Sequence, residues 1–282
     1  ILGTSNSANP LRDAATLAQV GRNVKALALD VVVAIGGDGT MSLAHGLAQV
    51  GLQCVGVPKT IDNDIANCER SFGFDTAVAT VTESLRRIES TAMSHHRVMI
   101  VETMGRHAGW LALEAGIAGA ADIILLPEID YDLQAIVQRC REREQRQRYT
   151  IICIGEGAKP RGGALTVREH VAGSPDPVRL GGVGNKLADE IEAKTGIEAR
   201  CTILGYLQRG GSPTAFDRVL STRYGSAAVE ACLAGAYNVM VALSSGEIVR
   251  IPIEEVAGKP HQVPLDSDLI RAGRNLGISF GD

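Results

Sequence analysis

The chain has 282 residues, 45% of them hydrophobic, with 28 Lys and Arg against 32 Asp and Glu and a formal net charge of −4. That apolar content supports one large α/β domain or two smaller ones. Interspersed charge of slightly acidic sign argues against nucleic acid as the main partner, and no apolar run approaches the roughly 20 residues that span a membrane.

Short runs rich in Val and Ile alternate with longer stretches of helical period. In chain order this predicts a helix over 11–28, a strand over 30–35, a helix over 41–50, a strand over 53–57 and a helix over 76–93. A strand over 97–102, a helix over 109–119, a strand over 121–126, a helix over 133–146 and a strand over 149–155 follow. The chain then gives a helix over 184–195, a strand over 200–204, a helix over 216–234 and strands over 238–243 and 247–251. Asn9 with Pro10 reads as the start of the first helix, and Asp75 as the cap of the third. Continuous apolar strands separated by helices predict an α/β fold of buried parallel sheets with helices on both faces. Residues 155–184, rich in Gly, Pro and charge, read as a long surface excursion. The Arg/Glu/Gln alternation of 139–148 reads as a solvated helix face.

Six scattered cysteines without Cys-x-x-Cys spacing read as reduced thiols of a cytoplasmic protein. The chain opens on Ile1-Leu2-Gly3-Thr4-Ser5-Asn6, with no initiator Met, and reads as lacking an N-terminal piece.

Ligands of open parallel sheets bind beyond the carboxyl ends of the strands. After the first predicted strand comes Gly36-Gly37-Asp38-Gly39-Thr40, where glycines and a helix N-terminus suit a phosphate and Asp38 suits Mg²⁺. A Gly-rich turn with Asp38 as a helix cap is the plainer alternative. After the second comes Pro58-Lys59-Thr60-Ile61-Asp62-Asn63-Asp64. In extended chain, Thr60, Asp62 and Asp64 share one side while Ile61 and Asn63 face away. A carboxylate there can take the proton of a sugar hydroxyl as it attacks phosphorus. Met104-Gly105-Arg106-His107 follows the third strand and offers a guanidinium to phosphate oxygens. Arg97, just before that strand, lies at its opposite end. Glu156, between glycines, can accept from sugar hydroxyls, and residues 205–213 form another Gly-rich turn carrying Arg209. Residues 181–186 look faintly like a dinucleotide loop but lack the full spacing and a preceding strand.

In this order the motifs resemble the phosphofructokinase family, over essentially the whole chain. Gly-Gly-Asp-Gly-Thr alone is shared with NAD kinases and lipid kinases; Pro-Lys-Thr-Ile-Asp-Asn-Asp, Met-Gly-Arg and Gly-Tyr-Leu-Gln-Arg-Gly-Gly-Ser-Pro behind it are far more specific. The resemblance implies transfer of a phosphoryl group from ATP to the 1-hydroxyl of fructose 6-phosphate, with Mg²⁺, in glycolysis. It implies two doubly wound, Rossmann-like domains with an interleaved chain and the active site in the cleft between them. Residues 1–73 plus 209–258 would form the donor domain and 74–208 plus 259–282 the sugar-phosphate domain.

Carried over by position, Asp62 matches the catalytic base, with Thr60, Asp64 and Arg106 beside the reacting groups. Gly36, Gly37, Asp38, Gly39, Thr40 and Lys59 match the donor site, with Asp38 toward the metal. Met104, Gly105, Arg106, Glu156 and Tyr206 match sugar-phosphate contacts. Arg97, Arg200 and Arg209 match the arginines on the 6-phosphate, the first two reaching in from a neighbouring subunit of a homodimer or homotetramer. Gly39 leaves room for a nucleotide and favours ATP; Lys59 is typical of pyrophosphate users and keeps that donor as an alternative.

The chain departs from the family at three points. The N-terminal Gly-Gly-Asp-x-Pro-Gly loop is absent, Asn6 and Ser7 stand near where an arginine is common, and Tyr206 replaces a frequent His. The first two raise the alternative of a non-catalytic, sugar-phosphate-binding regulatory subunit.

Overall fold

A computed structural model describes residues 9–11, 13–170 and 178–282. In chain order the elements are α1 (Ala14–Ala26), β1 (Val32–Gly36), α2 (Asp38–Ala48), β2 (Cys54–Thr60), β3 (Phe72–Gly73), α3 (Phe74–His95), β4 (Val98–Thr103), α4 (Trp110–Ala118) and β5 (Ile123–Leu125). They continue with α5 (Leu133–Glu144), β6 (Thr150–Gly155), β7 (Val167–His170), β8 (Val178–Leu180), α6 (Val183–Thr195), β9 (Ala199–Ile203), α7 (Ala215–Leu233), β10 (Val239–Ser244), β11 (Glu247–Pro252) and α8 (Asp268–Asn275). Every expected strand and helix is present within a few residues of its expected place.

The chain divides into two compact units. The first holds the described residues up to Gly73 together with Ala215–His261, and the second holds Phe74–His170, Val178–Thr214 and Gln262–Asp282. The later crossings fall slightly after the expected 209 and 259, for local reasons. The 3-10 helix Gly205–Arg209 packs on α3 and β4, and the Thr214 hydroxyl donates to Asp75 at 2.6 Å, which keeps 205–214 with the second unit. At the other crossing, the His261 N–H donates to Asp64 O at 2.8 Å, which keeps it with the first.

In the first unit the sheet runs β1-β2-β10-β11, with β3 paired to β2. Strands β1, β2 and β10 are parallel, and β11 returns antiparallel beside β10, a departure from the purely parallel expectation. The short turn through Ser245 and Gly246, both left-handed, makes that hairpin possible. Helix α2 packs on β1 and β2, and α7 on β2, β3, β10 and β11. Strand β2 is buried almost throughout, as a central parallel strand should be. Strand β1 ends the sheet among the described residues and leaves Val33 and Ile35 40% and 44% exposed, so its apolar run is not fully covered.

In the second unit the sheet is parallel, ordered β5-β6-β4-β9. Strands β4 and β6 are buried at every residue. Val98, Ile100, Ile152 and Ile154 pack with α5 and α6 residues such as Ile136, Leu187 and Ile191. On the opposite face α3 and α4 pack against β4 and β6; Gly116 of α4 approaches so closely that a Cβ there would lie 3.3 Å from the Cys153 Cβ.

Several local expectations are corrected. Helix α1 is capped by Asp13, whose carboxylate accepts the Thr16 N–H at 2.7 Å, while Asn9 accepts from Leu11 in the preceding turn. Asp75 lies inside the first turn of α3 instead of capping it, its carboxylate engaged by Thr214. The 155–184 excursion contains the antiparallel pair β7–β8; residues 171–177 of it lie outside the described residues, as do Asn6 and Ser7. The 139–148 run is not merely solvated. Arg143 pairs with Asp122 at 2.8 Å with both side chains largely buried, and Arg139 donates to Gly277 O at 2.6 Å. All six cysteines are free thiols, and no helix among the described residues is long and apolar enough to cross a membrane.

Candidate active site

In the first unit the parallel register Gly36↔Pro58 brings the carboxyl ends of β1 and β2 side by side. The chain after β1 turns directly into α2, with Gly37 as cap residue and Asp38 in the first turn. Gly36 is obligatory there, because a Cβ on it would lie 2.1 Å from Thr40 Oγ1. A Cβ on Gly37 would lie 3.4 Å from the Thr60 Cβ, so the glycine turn abuts the end of β2. At Gly39 a Cβ would meet nothing within 4 Å; that side of the helix start is open. Asp38 is steadied by the Gly258 N–H, which donates to Oδ1 at 3.1 Å. Lys59 is exposed at the end of β2, whereas Thr60 beside it is buried.

The extended path assumed for Thr60, Asp62 and Asp64 is corrected. Extended chain stops at Thr60, whose Oγ1 accepts the Asp62 N–H at 3.1 Å, and Asn63 takes a left-handed φ of 51°. Such a residue interrupts the alternation that the expectation assumed. Asp62 and Asp64 remain partly exposed while Asn63 is buried, so Asn63 turns away from its two neighbours, as read from the sequence.

In the second unit the registers Thr103↔Gly155 and Glu102↔Ile203 gather three strand ends. They carry Met104-Gly105-Arg106, Glu156 and the 3-10 helix Gly205–Arg209. Gly105 has φ 116°, and a Cβ there would lie 2.8 Å from Ala108 O, so the turn requires glycine. The Met104 N–H donates to Gln208 Oε1 at 3.2 Å and the Glu156 N–H to Thr103 O at 2.9 Å. Burial pushes the Glu156 carboxyl up, Glu102 adds to this, and Arg106 and Arg209 oppose it. One carboxylate and two guanidiniums thus share this end of the sheet. The Arg209 guanidinium also lies over the exposed Tyr206 ring, 5.5 Å from its centre.

Arg97 and Arg200 are together, but not with this group. Arg97 immediately precedes β4, and Arg200 sits opposite Met99 near the start of β9. Glu198 brackets them, accepting from Arg97 Nε at 2.6 Å and Arg200 Nη2 at 2.5 Å, while Glu192 takes Arg200 Nη1 at 3.0 Å. The two arginines hold Glu198 below the usual carboxylate range.

Two supporting carboxylates were not read from the sequence. Glu102 is buried, and its oxygens accept the N–H groups of Gly182 and Gly184 at 2.8 and 2.7 Å. The start of α6 is therefore occupied by the protein's own anion, the physical reason that the glycine run 181–184 is no nucleotide loop. Glu128 Oε1 accepts from Gly109 and Val263, both at 2.9 Å, and so anchors the far end of the Met-Gly-Arg loop. A Glu inside the apolar run Val98–Thr103 was the available signal for the first; Glu128 carried none.

No three His, Cys, Asp or Glu side chains cluster among the described residues. A single Asp at a glycine-lined helix start fits a hard cation that completes its shell with phosphate oxygens and water.

The sequence model of the family described as "PFK: Phosphofructokinase" matches residues 1–232. The chain is 47% identical to an ATP-dependent 6-phosphofructokinase 2 of Clostridium perfringens, over 92% of its own length and 72% of that protein's. It is 45% identical to a pyrophosphate–fructose 6-phosphate 1-phosphotransferase of Amycolatopsis methanolica, over 94% and 77%. The fold matches a pyrophosphate-dependent phosphofructokinase structure from Marinobacter aquaeolei with a TM-score of 0.78 at 24% identity, covering 95% of this chain and 69% of that one.

Proposed function

Because this chain belongs to the phosphofructokinase family, we propose that Asp62 takes the proton of the fructose 6-phosphate 1-hydroxyl as it attacks the terminal phosphorus of the donor. The reaction is phosphoryl transfer to fructose 6-phosphate, giving fructose 1,6-bisphosphate, and the chain is a phosphotransferase of glycolysis. In such transfers positioning and charge neutralisation carry most of the catalysis. The observation that supports this division of labour is the register Gly36↔Pro58, which sets a phosphate-binding turn beside Thr60 and the loop carrying Asp62.

Gly36, Gly37 and Gly39 at the start of α2 receive the donor phosphates through backbone N–H groups, with Thr40 beside them. Asp38 holds Mg²⁺, which when bound neutralises charge on the transferred phosphate. Thr60 and Asp64 orient the reacting groups. Met104, Gly105, Arg106, Glu156, Tyr206 and Arg209 bind the sugar phosphate. Arg97 and Arg200 serve a neighbouring subunit of a homo-oligomer, since strand polarity sets them at the far end of β4 and β9 from the other sugar-phosphate residues. The first unit is then the donor unit, the second the sugar-phosphate unit, and the enzyme works in the cytoplasm.

ATP is the donor on this reading, because the space at Gly39 is open. Pyrophosphate is the second reading, favoured by Lys59, exposed at the end of β2. A coupled assay with fructose 6-phosphate and Mg²⁺, run in parallel with ATP and pyrophosphate, decides between them. Asp62→Asn should lower turnover by orders of magnitude with sugar binding nearly intact. Near-normal turnover would remove Asp62 as the base, and silence of the parent with both donors while the sugar still binds would favour a regulatory subunit.

A further inference from the structure

We infer that Asn63 is a positioning residue that aims the two carboxylates flanking it, Asp62 and Asp64, by pegging the turn between them into the protein. The inference rests on the reading of Asp62 as the base and goes beyond it, since Asn63 itself faces away from any substrate.

Asn63 is 3% exposed, buried where its two neighbours are only partly so. Its left-handed backbone reverses the chain direction, a conformation that Asn tolerates better than most residues. The side chain then locks the reversal. Nδ2 donates to Glu69 O at 3.1 Å, and Oδ1 accepts the Ser71 N–H at 2.9 Å. The Ser71 hydroxyl in turn donates to Thr60 O at 2.9 Å, so both ends of the 60–63 segment are tied to one point. That point is itself fixed. The Glu69 N–H donates to Leu243 O at 3.0 Å, and the Tyr224 hydroxyl donates to Arg70 O at 2.5 Å. From the other side, His261 Nδ1 lies 3.2 Å from Asn63 O while its backbone N–H donates to Asp64 O at 2.8 Å. A carbonyl oxygen can only accept, so Nδ1 carries the proton in this contact. Asp62 and Asp64 therefore leave the backbone from a turn hydrogen-bonded to its neighbours at Thr60, Asn63 and Asp64, and the peg of that turn is one amide side chain.

The test compares variants of the full chain, with kcat, KM for fructose 6-phosphate and melting temperature read on each. Asn63→Gly keeps the left-handed backbone without strain and removes the peg. It should lower kcat by about a hundredfold, the usual consequence of a reacting group displaced by about 1 Å, with KM for the sugar phosphate held within about threefold. Ser71→Ala, which leaves the Ser71 N–H on Oδ1, should retain most of kcat. His261→Ala, which removes the Nδ1 contact to Asn63 O and an electrostatic neighbour of Asp64, should lower kcat by several-fold with KM unchanged, and it carries the test if Asn63→Gly does not fold. Parental kcat in Asn63→Gly, or in His261→Ala where the glycine variant is unfolded, overturns the inference. So does a kcat loss matched by an equal rise in KM and a fall in melting temperature, the mark of general damage. Asp62→Asn in parallel separates the two levels: if it keeps turnover, the base assignment falls and Asn63 with it, whereas a dead Asp62→Asn beside a normal Asn63→Gly removes the positioning role alone.

Discussion

Gly157→Ala is a one-methyl perturbation beside the Arg106 loop that removes no charged group. A Cβ on Gly157 would lie 2.1 Å from Arg106 O, 2.9 Å from the Arg106 carbonyl carbon and 3.1 Å from Pro127 Cγ. The obstacle is backbone and a proline ring, neither of which can rotate away. To restore ordinary contact the Arg106 carbonyl must retreat by about 1 Å, and overpacking of this size costs on the order of 1–3 kcal/mol of stability. The retreat moves the Arg106 segment of a loop held at Met104 by Gln208 and at Gly109 by Glu128. The strain therefore concentrates between those two fixed points, where Arg106 itself sits. A displacement of about 1 Å in a positioning group costs on the order of a hundredfold, and it should be read in kcat/KM for fructose 6-phosphate. The affinity for the phosphoryl donor, measured by nucleotide binding in the absence of sugar, should not change. A variant with parental kcat/KM and parental melting temperature would show that the loop yields at no cost and would refute the claim that Arg106 works from a rigid turn. Equal losses in donor and sugar affinity would refute it differently, by showing general unfolding.

Gly39→Asp should suppress use of ATP by filling the open side of the α2 start, with pyrophosphate use affected less; unchanged ATP kinetics would show that the open space is not where the nucleotide lies. Glu156 titrates above its ordinary 4.5 because it is buried beside Glu102. The folded state thus holds that proton to higher pH than the unfolded chain, and stability declines as pH rises from 4.5 through the raised value. Glu156→Gln should flatten that decline in thermal melts taken across the window, while raising KM for the sugar phosphate; an unchanged pH slope would remove burial as the cause. Mixing inactive Arg97→Ala subunits with inactive Asp62→Asn subunits should restore part of the activity if Arg97 acts on a neighbour's substrate, and no recovery would count against that role.

The architecture was legible because most of its strands are continuous apolar runs and most of its helices are not. Residues 97–102 and 149–155 read as strands of buried parallel sheets, and the strands found there, β4 and β6, are buried throughout. What escaped notice was held by few residues or by polar ones. Helix α8 buries only Ile270 and Gly273 and is otherwise polar or exposed, and β3 is a two-residue pairing with the end of β2. The start of α1 was misread because two caps compete nearby: Asn9 closes a turn on Leu11, and Asp13 caps the helix proper. In the site, the strand ends could be located from sequence, but not the chain's path beyond them. Alternation predicted Asp62 and Asp64 on a common side. That rule holds only in extended chain, and its premise ends where Thr60 and Asn63 bend the backbone with their own side chains. Hydrogen bonds of that kind pair residues by distance in space, so no spacing in the sequence announces them.

The same distinction accounts for the two arginine groups. A parallel sheet sorts its residues by position along the strand, and about 20 Å of strand separates the two ends of β4 at its rise per residue. Arg106 and Arg209 follow their strands and stand where Glu156 does; Arg97 and Arg200 begin theirs. Nothing in the second unit's sheet can bring the starting pair to the finishing group. The starting pair is nonetheless organised, since Glu198 engages both arginines and Glu192 engages one of them. Two guanidiniums held by carboxylates at a surface form a charge-balanced set, and a phosphate can recruit them by replacing those carboxylates as hydrogen-bond acceptor. On the proposed reading the phosphate comes with a neighbouring subunit, so the cost of releasing Glu198 is met only in the assembled enzyme. Glu198→Gln should then weaken the hold on both arginines at once. Its effect belongs in KM for fructose 6-phosphate and not in the donor if, as proposed, the sugar phosphate alone reaches that end of the sheet.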